Sequence, residues 1–164
     1  MLCFNCYAYE LNEMPIGNYL YSECGLFNII LRDVIVRVCP FCDCTHVPVP
    51  NEMGLKEKIA RELAVKPGRL TRDEVDYLIK FTGYHEIDIA EMICRKTSTV
   101  KGWRQGTIAM TEDDEMLFRL VMLQRFKIKN CNVMAATLSK KKASVMFFRM
   151  NEKSEWIRLF ARRD

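Results

Sequence analysis

Long apolar runs are missing from this chain of 164 residues, and none reaches the roughly twenty residues that span a bilayer. The start, MLCFNCY, lacks the basic residues and apolar core of a secretory signal. The expectation is therefore a cytoplasmic protein that inserts into no membrane. Histidine is scarce: only His46 and His85 occur, far apart and without catalytic company, so no enzyme activity is expected. Acidic residues are missing locally. From Cys94 to Met110 there are Arg95, Lys96, Lys101 and Arg104 and not one Asp or Glu.

What is present points to a globular protein. A hydrophobic share of 49% with 28% charged residues is neither a disordered nor a membrane composition, and the length suits one ordinary domain or two small ones. The net charge of +4 permits nucleic acid without demanding it, so its distribution matters more. From Gln124 to Asp164 eleven Lys/Arg stand against three Asp/Glu.

Eight cysteines without an export signal argue against a disulfide framework, and four of them form two CxxC pairs. Cys3, Cys6, Cys39 and Cys42 can present four thiolates to one tetrahedral ion, and zinc in a structural role fits best. Cys44 and His46 follow the second pair closely, and either can substitute as a ligand. A redox dithiol is the competing use of CxxC, but that use normally sits at a helix start in a βαβ setting. The residues between the pairs read as strands: Tyr19–Tyr21, then Asn28–Leu31, a turn at Arg32–Asp33, and Val34–Val38. Such a hairpin brings the distant pairs together. A unit of about 50 residues has little core, so the metal would supply much of its folding free energy.

Leu55, Ile59 and Leu63 recur every four residues, giving a short helix over 55–65 that Lys66-Pro67-Gly68 ends. Thr71-Arg72-Asp73-Glu74 is a capping box, followed by buried-face residues Val75, Leu78 and Ile79 and a stop at Gly83. From Glu86 to Gly106 two short helical patterns are joined by a turn. Ile87, Ile89, Ala90 and Ile93 mark the first, Cys94 closes it, and Val100 and Trp103 turn the second inward. The second helix is thus apolar on one side and basic on the other, as a helix laid into a major groove must be. An ordinary helical hairpin with a solvated basic face is the alternative. Thr111 caps a further helix running to about Lys127, whose stripe Met116, Leu117, Leu120, Val121 and Leu123 serves the core alone or the core plus contact with a second copy. Past it, Lys140-Lys141-Lys142 continues no period. Glu155–Arg163 reads as a short amphipathic helix with Trp156, Leu159 and Phe160 on one side, in a basic, partly disordered tail that adds phosphate contacts.

The order of residue types in AEMICRKTSTVKGWRQG resembles the helix-turn-helix of the Xre/Cro family of DNA-binding domains. With N-Y-L-Y-S-E-C-G-L, V-R-V-C-P-F-C and A-x-K-P-G-R-L-T, residues 1 to 125 resemble the MqsA/YgiT-type zinc-finger and helix-turn-helix proteins. The resemblance implies an α+β chain: a zinc-binding β unit over 1–50, a linker with a short helix over 51–70, an all-α helix-turn-helix domain over 71–127, and a basic C-terminal extension over 128–164. It further implies a homodimer that binds its own promoter as the antitoxin of a type II toxin–antitoxin pair. In the alternative, the zinc unit neutralises a toxin with little DNA binding. Carried over by position, Thr97, Ser98 and Lys101 would face bases, Lys96, Arg104 and Gln105 would lie nearer phosphates, and Arg95 would stand at the helix entry. The family's turn glycine is Cys94 here, its phosphate-touching glutamine is Glu86, and its base-reading arginine falls at Gly102.

Overall fold

The computed structural model describes residues 1–126 and 145–160. Among the described residues the protein is α+β, with a small sheet and five helices. Two compact units divide inside the first helix: residues 1–22, 27–55 and 145–160 form one, and residues 23–26 and 56–126 the other.

In the first unit, β1 (Asn12–Leu20) and β2 (Ile29–Val38) form an antiparallel ladder from Asn12 opposite Val38 to Leu20 opposite Ile30. Strand β2, IILRDVIVRV, has the β-branched content that suits a pleated surface. Its inward set changes parity midway: Ile29 and Leu31 are buried, then Val34 and Val36. The switch occurs at Asp33, whose φ of 57° is left-handed, opposite Gly17 where the pairing lapses. The register resumes unchanged, with Ile16 opposite Val34 and Asn18 opposite Arg32. The expected turn at Arg32–Asp33 is therefore a kink inside one long strand, because the backbone that a tight turn requires also re-aims a strand's side chains. The chain reverses instead between Leu20 and Ile29, through a 3₁₀ turn at Ser22–Cys24.

Strand β3 (Thr45–His46) pairs with Arg37 and Val38 of β2. Over residues 145–160 strands replace the expected helix at Glu155–Arg163. Met146–Met150 is a strand, β4, parallel to β2 at Ile29–Leu31, and Trp156–Leu159 is a strand, β5, antiparallel to β4. The Asn151 side-chain oxygen accepts from the amides of Lys153 and Glu155, both at 2.9 Å, and shapes the turn between them. Trp156, Leu159 and Phe160 have helical spacing, yet Phe160 is 75% exposed while Trp156 is buried and donates its indole N–H to the Pro50 carbonyl at 2.9 Å. A short apolar run does not choose between periods by itself, and the partner strand decides. Met146, Phe148 and Trp156 join Tyr21, Ile29 and Leu31 as buried residues of this unit. Lys140, Lys141 and Lys142 lie outside the described residues.

The helices are α1 (Glu52–Val65), α2 (Arg72–Thr82), α3 (Glu86–Met92), α4 (Thr97–Gln105) and α5 (Glu112–Arg125). The capping box at Thr71 is complete: Thr71 Oγ1 accepts from the Glu74 amide and Glu74 Oε2 from the Thr71 amide. Gly83 and Gly106 end α2 and α4 with φ of 72° and 74°. In the second unit Leu78, Ile89, Ala90, Val100, Phe118 and Met122 are buried, whereas Ile87, expected on the inner face of α3, is 53% exposed. A seven-residue helix turns only two or three side chains inward, and Ile89 and Ala90 take those places.

The loop from α1 to α2 is held by buried charge. Arg119 of α5, fully buried, donates to the carbonyls of Ala64, Lys66 and Gly68 and to Glu115. Glu115 accepts from the Leu70 amide, and Lys66 meets Glu74 at 2.6 Å. Arg119 thus satisfies carbonyls that the end of α1 leaves open. No helix among the described residues is long and apolar enough to cross a membrane.

Candidate functional site

The first candidate site is the set of four thiols. Pairing of Asn12 with Val38 places the start of β1 beside the end of β2, so the segment before one and the segment after the other meet. Each segment folds as the same knuckle. The Cys3 carbonyl accepts from the Tyr7 amide at 2.9 Å and the Cys39 carbonyl from the Asp43 amide at 3.1 Å. Tyr7 and Asp43, each four residues past the first cysteine, both take left-handed φ values, 55° and 54°. The spacing is thus translated twice into one loop geometry.

The Sγ atoms of Cys3, Cys6, Cys39 and Cys42 all lie within 4.8 Å of one another, with Cys3–Cys42 and Cys6–Cys39 at 3.6 Å. Four sulfurs about 2.3 Å from a tetrahedral ion stand about 3.8 Å apart, so the donor set fits a metal. The Asn5 amide points at Cys3 Sγ at 3.4 Å, as an outer partner of a thiolate ligand does. The thiols are not equivalent. Backbone amides, that of Cys6 first, lower the Cys3 thiol to about 6, whereas burial raises Cys39 to about 11. Cys44 and His46 lie outside this set: Cys44 packs against the cluster, and His46 sits in β3 with its ring edge-on to Phe4 at 5.5 Å. Around the knuckles Leu2, Phe4, Tyr7, Tyr9 and Phe41 are exposed, Tyr9 and Phe41 stacked at 5.0 Å.

The second candidate site is α4. Between α3 and α4 the chain turns at Cys94, whose φ of 54° is the left-handed conformation that a glycine adopts more cheaply. The Arg95 amide returns to the Ala90 carbonyl at 2.8 Å and closes the turn. Val100 and Trp103 are buried, leaving Lys96, Thr97, Ser98, Lys101 and Gln105 exposed. Helices α2 and α5 start with a threonine cap and acids in the first turn; α4 has neither.

Two of the expected DNA-binding residues are engaged elsewhere. Arg104 donates through Nε to Asp76 of α2 and through Nη1 to Glu86 of α3, each at 2.5 Å. Arg95 reaches Asp114 at 2.8 Å. Arg104 comes first among the influences that hold Glu86 below the usual carboxylate range. Burial pushes Asp76 up, but hydrogen bonds from Lys80 and Arg104 outweigh it and hold Asp76 low as well. Gly102 is buried, and a Cβ there would lie 2.5 Å from Ile108 Cδ1, so this position faces the following loop rather than outward. Sequence reasoning missed the acids that hold Arg104. The signal was Glu86, a carboxylate where the resembled family has an amide.

Comparison with protein-family models, with curated proteins and with solved structures finds no match for this chain.

Proposed function

We propose that the chain is a sequence-specific duplex-DNA-binding regulator whose α4 lies in the major groove and whose four-thiol centre holds a structural zinc ion. The observation that carries this reading is the outward stripe of α4. Thr97, Ser98, Lys101 and Gln105 share it with Lys96, no acid interrupts it, and no side chain caps its start. An uncapped helix N-terminus without acids favours an anion, as a phosphate is. Short polar side chains followed by Lys101 suit base edges and phosphates. Two copies about a two-fold axis would set their α4 helices one turn of DNA apart on a pseudo-palindrome. The resemblance to MqsA/YgiT-type proteins makes an antitoxin acting on its own promoter the specific form of this proposal.

Zinc suits four thiolates at these separations, and a closed tetrahedral set leaves no position for substrate, so the centre supports the fold rather than a reaction. The test titrates a duplex from the region upstream of the reading frame, and a random duplex, against the full chain at several salt concentrations. Preference for the first with a steep salt dependence supports the proposal. Equal weak binding to both overturns it.

A second reading has its own observation. The exposed aromatics around the knuckles make a surface suited to a protein partner, in which case the metal unit neutralises a toxin and DNA contact is minor.

A further inference from the structure

Arg104 was the last basic residue expected to touch phosphate, yet its geometry gives it other work. Its guanidinium bridges Asp76 on α2 and Glu86 at the first position of α3, each at 2.5 Å. Asp76 is itself held by Lys80 at 2.6 Å, one turn further along α2. On the backbone side, Arg72 at the start of α2 donates through Nε to the Arg104 carbonyl at 3.3 Å, and the Arg72 stem lies against Gly106. The last turn of α4 is therefore tied to two other helices from both ends of one residue. At the opposite end Arg95, just before α4, reaches Asp114 of α5 at 2.8 Å through a single carboxylate, while the first turn of α4 itself carries no acid and its start no side-chain cap.

From this we infer that Arg104 is a positioning residue for the DNA-reading helix: it fixes the angle at which α4 leaves the domain and makes no phosphate contact itself. The inference rests on the reading of α4 as the DNA-contacting element. A two-acid clamp on a planar guanidinium sets direction as well as distance, because the fork engages both carboxylates only in one orientation. With α4 so fixed at its C-terminal end, Thr97, Ser98 and Lys101 are presented together. Without the clamp they would still be exposed, but at an angle that no longer registers with base edges. Phosphate attraction tolerates such a tilt and base reading does not.

The experiment compares the full-length wild type with Arg104→Met, Glu86→Gln and the double variant Asp76→Asn/Glu86→Gln, each first verified as folded by circular dichroism. Binding is measured by fluorescence anisotropy for a duplex from the region upstream of the reading frame and for a random duplex of equal length, across a salt series. A positioning role predicts that Arg104→Met weakens binding to the upstream duplex about tenfold, the size of one lost base contact. Its affinity for random duplex and the slope of log affinity against log salt stay as in wild type. The acid variants lose preference too, although they remove negative charge.

A phosphate contact predicts the opposite pattern. Arg104→Met would weaken both duplexes alike and reduce the slope by about one, and removing the acids would strengthen binding. That result overturns the inference while leaving DNA binding by α4 intact. If the wild type shows no preference for the upstream duplex, the DNA reading itself fails, and the role of Arg104 falls with it. If Arg104→Met does not fold, Glu86→Gln decides alone, since it removes the charge from one arm of the clamp and leaves the arginine in place.

Discussion

Asn12 lies opposite Val38 at the open end of the β1–β2 ladder, and this one pairing brings two knuckles 32 residues apart in sequence to a common centre. The centre is thus as much a product of strand register as of cysteine spacing. Loss of a ligand should be felt along the hairpin.

Cys39→Ser removes a buried sulfur whose neighbours are already aligned. Metal content of the purified protein should fall from about one ion per chain to a small fraction, since a structural site needs its full tetrahedral set. The first unit should then melt early, while binding to duplex DNA survives. Metal analysis and a melting curve check this; undiminished metal content would show that the four thiols do not share an ion.

Phe148→Ala tests the return of the C-terminal segment to the sheet. Phe148 is fully buried in β4, so truncation should destabilise the first unit by about 3–5 kcal/mol. Denaturant unfolding followed through metal release is the measurement. A change within a few tenths would mean that β4 is not integral to the unit.

Arg119→Met leaves Glu115 buried and the carbonyls of Ala64, Lys66 and Gly68 without their donor. Removing one partner of a buried charged pair costs about 3–5 kcal/mol; because Arg69 still pairs with Glu115 at 2.7 Å, the loss in the unfolding of the helical unit should lie at the lower end of that range. Retention of wild-type stability would show that water replaces the guanidinium at no cost.

Lys101→Ala probes the outward face of α4. Binding to the upstream duplex should weaken by about 1–3 kcal/mol if the ammonium meets a base edge, and by less, with a shallower salt dependence, if it meets phosphate. Anisotropy titration against salt separates the two, and an unaffected titration would remove Lys101 from the interface.

The clamp on Arg104 has a pH signature. Glu86 has its carboxyl lowered chiefly by the Arg104 hydrogen bond, so the charged form is favoured in the folded state. Its stabilising effect is complete above the unfolded carboxylate value of about 4.3 and disappears as pH falls through the lowered folded value. Wild type should therefore melt above Glu86→Gln at neutral pH, and the two should converge in acid. Thermal melts over a pH series check this, and a gap that persists below that range would point to a cause other than charge.

Local chemistry carried the readings that needed only a few residues of context. The two CxxC pairs marked their knuckles, because a tight loop is written within five residues. Thr71 and Glu74 marked the start of α2, because a capping box closes over three. Val100 and Trp103 faced inward as their spacing required. Arg32–Asp33 was half legible: the left-handed residue was there, at Asp33, but whether it ends a strand or kinks one depends on what runs alongside.

The rest was settled by partners far away in the chain. Trp156 is a strand residue because β4 lies beside it and the Pro50 carbonyl, 106 residues earlier, receives its N–H. Arg104 is a clamp because Asp76 and Glu86 stand 28 and 18 residues before it. Helical periodicity and charge runs describe what a residue offers to any neighbour. Only folding supplies the neighbour, and for a guanidinium or a short apolar run the neighbour decides between a surface contact and an internal one.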